Sequence, residues 1–177
     1  MSMKKNWWKY LCIVLLFYTI IAGFLGPIPQ LNILEESIRN LYFHVPMWFS
    51  MMAMMLVSLV FSIRYLSKQK ITDDIVAASF AKVGFIFGLL GVITGSVWAR
   101  ATWGAWWVFA EVKLNGAGAA LLVYAAYFIL RGSFDDEEKK ARFSAVYSIF
   151  AFVMFMVLIN VIPRISNSSL HPGNGGN

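Results

Sequence analysis

Apolar positions in this chain do not alternate with polar ones at a helical or a strand period. They come in long runs separated by short charged stretches. Each run approaches the ~20 residues an α-helix needs to cross a ~30 Å hydrocarbon core. The pattern predicts five transmembrane helices, at about 8–26, 45–66, 76–98, 113–131 and 143–162. The first follows Lys4, Lys5, Trp7, Trp8 and Lys9, the charged-then-apolar order of a signal sequence. Its end, Gly23-Phe24-Leu25-Gly26-Pro27, has no small-x-small cleavage site, so it reads as a retained anchor. The expected fold class is an all-α integral membrane protein, a bundle of about five helices forming a single membrane domain over residues 1–177.

Composition agrees. The 177 residues are 59% apolar and 14% charged, against ~45–50% and ~25% in soluble domains. Disorder, a secreted disulfide scaffold and a soluble cytosolic enzyme are thereby excluded. The lone cysteine, Cys12, lies within the first apolar run, so the chain has no internal disulfide, no CxxC pair and no CxxCH haem-attachment motif. One Cys and two His do not make a structural zinc site. The net charge of +6 is scattered between apolar runs and makes no nucleic-acid stripe.

Charge does set the orientation. Lys4, Lys5, Lys9, Arg64, Lys68, Lys70, Arg131, Lys139, Lys140 and Arg142 fall at one side, and Arg39, Arg100, Lys113 and Arg164 at the other. The positive-inside rule then puts the N-terminus in the cytoplasm and the C-terminus outside. Lys82, about two turns into the third span, has a stem long enough to snorkel back to the inner surface. The inner connections, including 67–75 and Asp135-Asp136-Glu137-Glu138-Lys139-Lys140, read as charged, solvated turns. Outside lie 27–44, the loop 99–112 and the C-terminal segment 163–177.

The chemistry concentrates on that outer side. Trp98, Trp103, Trp106 and Trp107 fall within ten residues, and a helix there would put the last three on one face. An interfacial aromatic belt accounts for one or two tryptophans at a helix end; four in one short loop also suit a platform for a large planar ligand. The only histidines, His44 in Tyr42-Phe43-His44-Val45-Pro46 and His171 in Leu170-His171-Pro172-Gly173, fall on the same side. Each alone reads as a hydrogen-bonded interfacial histidine. Flanking a tryptophan platform, the pair reads as axial ligands to a haem. Glu111 and Lys113 close the tryptophan segment and could pair with each other, or Lys113 with Arg100 could meet propionates or lipid phosphates. Gly84, Gly88, Gly91 and Gly95, spaced 4-3-4, form a small-residue stripe for close helix packing. The methionines Met47, Met51, Met52, Met54 and Met55 read as adaptable packing, with an iron ligand as the lesser alternative. There is no Walker A sequence, HExxH or Ser-centred elbow.

At these residues the chain resembles a known family. Gly95-Ser96-x-Trp98 followed by Trp103-Gly104-x-Trp106-Trp107 is similar to the Trp-rich signature of the haem-handling membrane proteins of cytochrome c assembly. Tyr42-x-His44-Val45-Pro46 and Leu170-His171-x-Gly173 resemble, within that group, the haem exporter protein C family, with the likeness running from about residue 38 to 173. The resemblance implies a non-enzymatic protein of the bacterial inner membrane. It implies haem b held transiently as cargo at the periplasmic face, by His44 and His171 as axial ligands and by Trp98, Trp103, Gly104, Trp106 and Trp107 as platform, with Arg100 steadying propionates. It also implies delivery to a periplasmic haem chaperone, alongside ABC transporter subunits. Three departures stand out. Phe109-Ala110-Glu111-Val112-Lys113 replaces a Trp–Asp–Arg pattern with one residue apparently inserted; the stretch between Asn160 and His171 is shorter and lacks a Trp pair; and a sixth span usual in relatives is not among the apolar runs. The rival reading is a transporter or channel subunit moving haem or another amphiphile, against which stands the poverty of ionisable residues within the spans. A b-type electron carrier is disfavoured because both histidines lie at span ends.

Overall fold

The computed structural model describes residues 3–29 and 35–166, and every regular element among them is helical. Five helices are long and apolar enough to cross a membrane. They are α1 (Met3–Leu25), α2 (Leu41–Lys68), α3 (Ile71–Trp103), α4 (Val112–Gly132) and α5 (Glu137–Met156). The last continues through a π-helical turn, Val157–Val161, into the short α6 (Ile162–Ile165). A 3₁₀ turn, Glu35–Asn40, leads directly into α2.

All five expected spans are present, and most are longer than their apolar runs. At ~1.5 Å per residue, the 33 residues of α3 reach ~50 Å, beyond a ~30 Å hydrocarbon core. Its two ends therefore project into the polar layers, carrying Asp73 and Asp74 at one rim and Trp98 to Trp103 at the other. Lys82 is exposed, eleven residues from the start of α3, within reach of the interface for a snorkelling stem.

The core lies among α2, α3, α4 and α5. Met51 and Met55 of α2, Tyr124 and Tyr127 of α4 and Phe155 of α5 are essentially inaccessible. The α2–α3 contact explains the glycine stripe. A Cβ at Gly88 would lie 2.5 Å from Met51 Sδ, at Gly91 3.0 Å from the Trp48 indole, and at Gly95 2.8 Å from His44 Cε1; Gly84 faces Met55 at 3.1 Å. The large residues at 44, 48, 51 and 55 thus repeat the 4-3-4 spacing in the opposite direction, and each fills the space a glycine leaves. The α2–α5 contact is built from small residues instead, with Ser58, Ser62, Ser144 and Ser148 buried and the Ser58 and Ser148 hydroxyls 3.4 Å apart.

The π turn has a local cause. Pro163 has no N–H, and its ring crowds the carbonyl four residues earlier, which disrupts the regular α-helical ladder there. The chain widens by one residue, and Ile162 N–H bonds Val157 O, the i→i−5 pattern that relieves such a proline.

Helix α1 stands apart. Nearly all its apolar side chains are exposed, and it meets the bundle only near its end, where Phe24 packs on Phe43 with ring centroids 4.9 Å apart. Arg39 holds that end by donating from Nη1 to Gly26 O at 2.7 Å and Gly23 O at 3.3 Å, satisfying carbonyls the helix leaves unpaired. Arg39→Ala is expected to speed amide hydrogen exchange over residues 20–26 while leaving α3 and α4 as protected as before. Unchanged exchange there would show that the Phe24–Phe43 contact suffices.

The end opposite the tryptophans corrects one expectation. The 67–75 connection is not simply a solvated turn: α3 begins at Ile71, and Asp73 and Asp74 are buried. Arg131 donates two hydrogen bonds to Asp74, at 2.7 and 2.6 Å, and Arg64 lies 3.3 Å from Asp73. The Asp135–Lys140 turn is largely exposed, as expected; Asp136 caps α5 by accepting from Lys139 N.

Candidate functional site

At the tryptophan end, α2, α3 and α4 diverge enough to leave a cavity of about 150 Å³. His44 and Trp48 of α2 form one wall, Gly91, Gly95, Trp98 and Trp103 of α3 another, and Lys113, Leu114 and Ala117 of α4 a third; Ile159 of the π turn closes it. The histidine reaches this position because it falls on the α2 face that packs against the α3 glycines. Its Nδ1 lies 3.0 Å from Gly91 O and 3.1 Å from Thr94 Oγ1. Asn40 Nδ2, one turn earlier, donates to Thr94 O at 3.1 Å, so the start of α2 is stitched to α3 by polar contacts. Trp48 meets the imidazole edge-on, at 6.3 Å between centroids.

The tryptophan segment differs from expectation. Residues 99–103 are helical, because α3 runs on to Trp103, and the connection proper is 104–111. Gly104 ends the helix with φ +77°, a left-handed conformation that costs glycine least. Trp103, Trp106 and Trp107 therefore do not share a helical face. Trp103 folds back on buried Trp98, edge-to-face with centroids 5.1 Å apart. Trp107 lies against Gly118 and donates from Nε1 to Asn115 Oδ1 at 3.1 Å. Trp106 is 61% exposed, at the rim with Phe109.

Two of the expected tryptophans thus line the cavity and two lie on the connection beside it. Arg100 is exposed and donates to Gly104 O, while Lys113 is the cation in the cavity wall. Gly104 serves the chain turn. His171 lies outside the described residues. Sequence reasoning missed Trp48 and the strapping role of Asn115, and took Glu111 as a partner for the Lys113 side chain rather than as a helix cap. Trp48 was detectable as the i+4 neighbour of His44. Glu111 is fully buried and caps α4 by accepting from Lys113 N at 3.0 Å. Asn115 straps the connection, donating to Phe109 O at 2.6 Å while accepting from Trp107.

An imidazole, an ammonium group and indole walls suit an aromatic ligand that carries carboxylates and takes nitrogen at a metal. The cavity matches a benzene-sized guest, so it takes part of a porphyrin, a macrocycle of four pyrroles, and not the whole. Among the described residues no three His, Cys, Asp or Glu side chains gather into a metal site.

Fold and site together define a multi-pass helical membrane protein with a cavity at one end of its bundle. The family model for heme exporter protein C matches residues 1–171, and the chain belongs to that family. It is 26% identical over 154 residues to the heme exporter protein C of Paracoccus denitrificans (strain Pd 1222), covering 87% of this chain and 62% of that protein. It is 26% identical over 123 residues to that of Escherichia coli (strain K12), covering 70% and 50%. Over 80 residues it is 34% identical to the cytochrome c biogenesis protein CcsA of Synechococcus sp. (strain RCC307), covering 45% and 25%. The chain spans about half to three-fifths of the length of the heme exporter relatives it matches.

Proposed function

We propose that this protein binds haem as cargo at the tryptophan end of the bundle and hands it on for cytochrome c maturation. The observation that carries the reading is His44: the sole histidine among the described residues lines a cavity walled by Trp48, Trp98 and Trp103. His171 is assigned as the second axial ligand. Indole faces cover the porphyrin, with Trp106 and Trp107 on the adjoining connection extending the platform beside Gly104. Lys113 in the wall and Arg100 at the rim receive the propionates. The names of the relatives support haem export and cytochrome c biogenesis as the setting. Within it, the protein acts in the bacterial inner membrane as a carrier and not as a catalyst. It presents haem b, held transiently, to a periplasmic haem chaperone beside ABC transporter subunits.

Axial coordination supplies the specificity for iron, and each aromatic contact adds about 0.5–1.5 kcal/mol beyond the area it buries. The test is the absorption spectrum of detergent-purified protein, oxidised and reduced, for the wild type, His44→Ala and His171→Ala. Six-coordinate bis-histidine bands in the wild type that collapse or shift in both variants are expected. Bands unaltered by the loss of His44 would refute the ligand assignment.

A further inference from the structure

The contacts of His44 bear on which of its nitrogens meets the cargo, an inference that rests on the haem reading above. We propose that Thr94 and Gly95 are positioning residues that hold His44 as its Nδ1–H tautomer and so present Nε2 as the single free ligating nitrogen.

The chemistry follows from the two groups around Nδ1. Gly91 O, at 3.0 Å, is a carbonyl oxygen and can only accept. The second neighbour, Thr94 Oγ1 at 3.1 Å, lies 2.9 Å from Leu90 O and 3.1 Å from Gly91 O on its own helix. Both of those are also acceptors, so the hydroxyl hydrogen is committed along α3. What Thr94 turns to the imidazole is a lone pair. Nδ1 therefore faces two acceptors, and the neutral ring places its one proton there. The opposite tautomer would set the Nδ1 lone pair against the oxygen lone pairs. Nε2 is left unprotonated, the state required of a metal-binding nitrogen. Acceptors on the far nitrogen also fix the ring's orientation and raise ligand basicity, the usual task of groups behind a ligating histidine.

Gly95 makes the seat. A Cβ there would lie 2.8 Å from His44 Cε1, 3.4 Å from Nδ1 and 3.8 Å from Nε2. A side chain at 95 would push the ring from this seat and disturb its contact with Gly91 O. Asn40, holding Thr94 O at 3.1 Å, keeps the two helices at the required separation.

The experiment needs no bound haem. His171→Ala leaves His44 as the only imidazole, so ¹⁵N-histidine labelling of the detergent-solubilised protein at pH 8 gives one pair of ring nitrogen signals. The expected result is a protonated Nδ1 and a bare Nε2. Thr94→Val, which keeps the shape and removes the acceptor, should give a mixture of tautomers. Thr94→Ser should restore the single form, and Gly95→Ala should broaden or move both signals. A protonated Nε2 in the starting protein, or a Thr94→Val spectrum superimposable on it, overturns the proposal. In protein that retains both histidines, Thr94→Val should weaken haem binding by about tenfold, the lower end for a group supporting a metal ligand, with Thr94→Ser near wild type. Failure of the protein to bind haem at all, with the tautomer pattern as stated, would overturn the haem reading and leave the assignment of Nδ1–H standing.

Discussion

Asp74→Ala is expected to destabilise the folded bundle by about 3–5 kcal/mol, the cost of stripping one partner from a buried ion pair. The side chains of Asp74 and Arg131 are only 3% and 18% exposed, and both guanidinium bonds are short. Without the carboxylate, Arg131 keeps its charge and has lost the group that repaid its desolvation. Denaturant unfolding in a fixed detergent, followed by tryptophan fluorescence, gives the difference directly. Arg131→Ala should cost a similar amount, and the double variant clearly less than the two singles together, because removing both charges removes the uncompensated one. The Glu137–Lys140 pair supplies the contrast. It is a local contact with Glu137 68% exposed, and solvent and salt screen it, so its removal should shift the midpoint hardly at all. Equal losses from both sites would mean that Asp74 is far better solvated than its burial indicates.

The second large effect is expected at Gly116. A Cβ there would stand 2.5 Å from Leu158 O, a backbone carbonyl in the π turn with no rotamer to escape into. Alanine normally gains about 1 kcal/mol over glycine inside a helix. Here that gain is outweighed by overpacking, which costs about 1–3 kcal/mol when the backbone must give way. Gly116→Ala should therefore lower the unfolding midpoint. Gly132→Ala, on the same helix with open space around the added methyl, should leave it unchanged or raise it. Ile159 is the residue after Leu158 and lines the cavity, so on the haem reading proposed above the Gly116 variant should also bind haem more weakly, whereas Gly132→Ala should not. A stabilised Gly116→Ala protein would show that the turn is soft.

Much of the fold was legible because membrane spans announce themselves by length and apolarity, and all five are found close to where the runs lie. Their ends were less legible. Helices outrun the hydrocarbon, and composition near the surface turns polar before the helix stops. At the tryptophan segment the stop signal was nonetheless present: glycine directly after Trp103 marks a left-handed cap. Continuing the helical spacing past Gly104 is what grouped Trp103 wrongly with Trp106 and Trp107. The glycine stripe was read correctly as packing, yet its counterpart at 44, 48, 51 and 55 went unmatched, and with it Trp48. The pairing of Asp74 with Arg131, 57 residues apart, has no local trace in the sequence. Nor has the placement of Thr94 behind His44, since both depend on how two helices meet.

The interlocking of α2 with α3 works as a depth gauge. Sliding one helix past the other by a single residue, ~1.5 Å, would carry His44, Trp48, Met51 and Met55 off their glycines together. No intermediate register offers four vacancies at 4-3-4 spacing. The imidazole is the outermost tooth of this comb, so its height relative to the membrane is dimensioned by the three teeth below it. The ring sits against α3 by the same packing that joins the two helices. On the haem reading, the cargo meets this ligand at a height that the packing of α2 on α3 has already set.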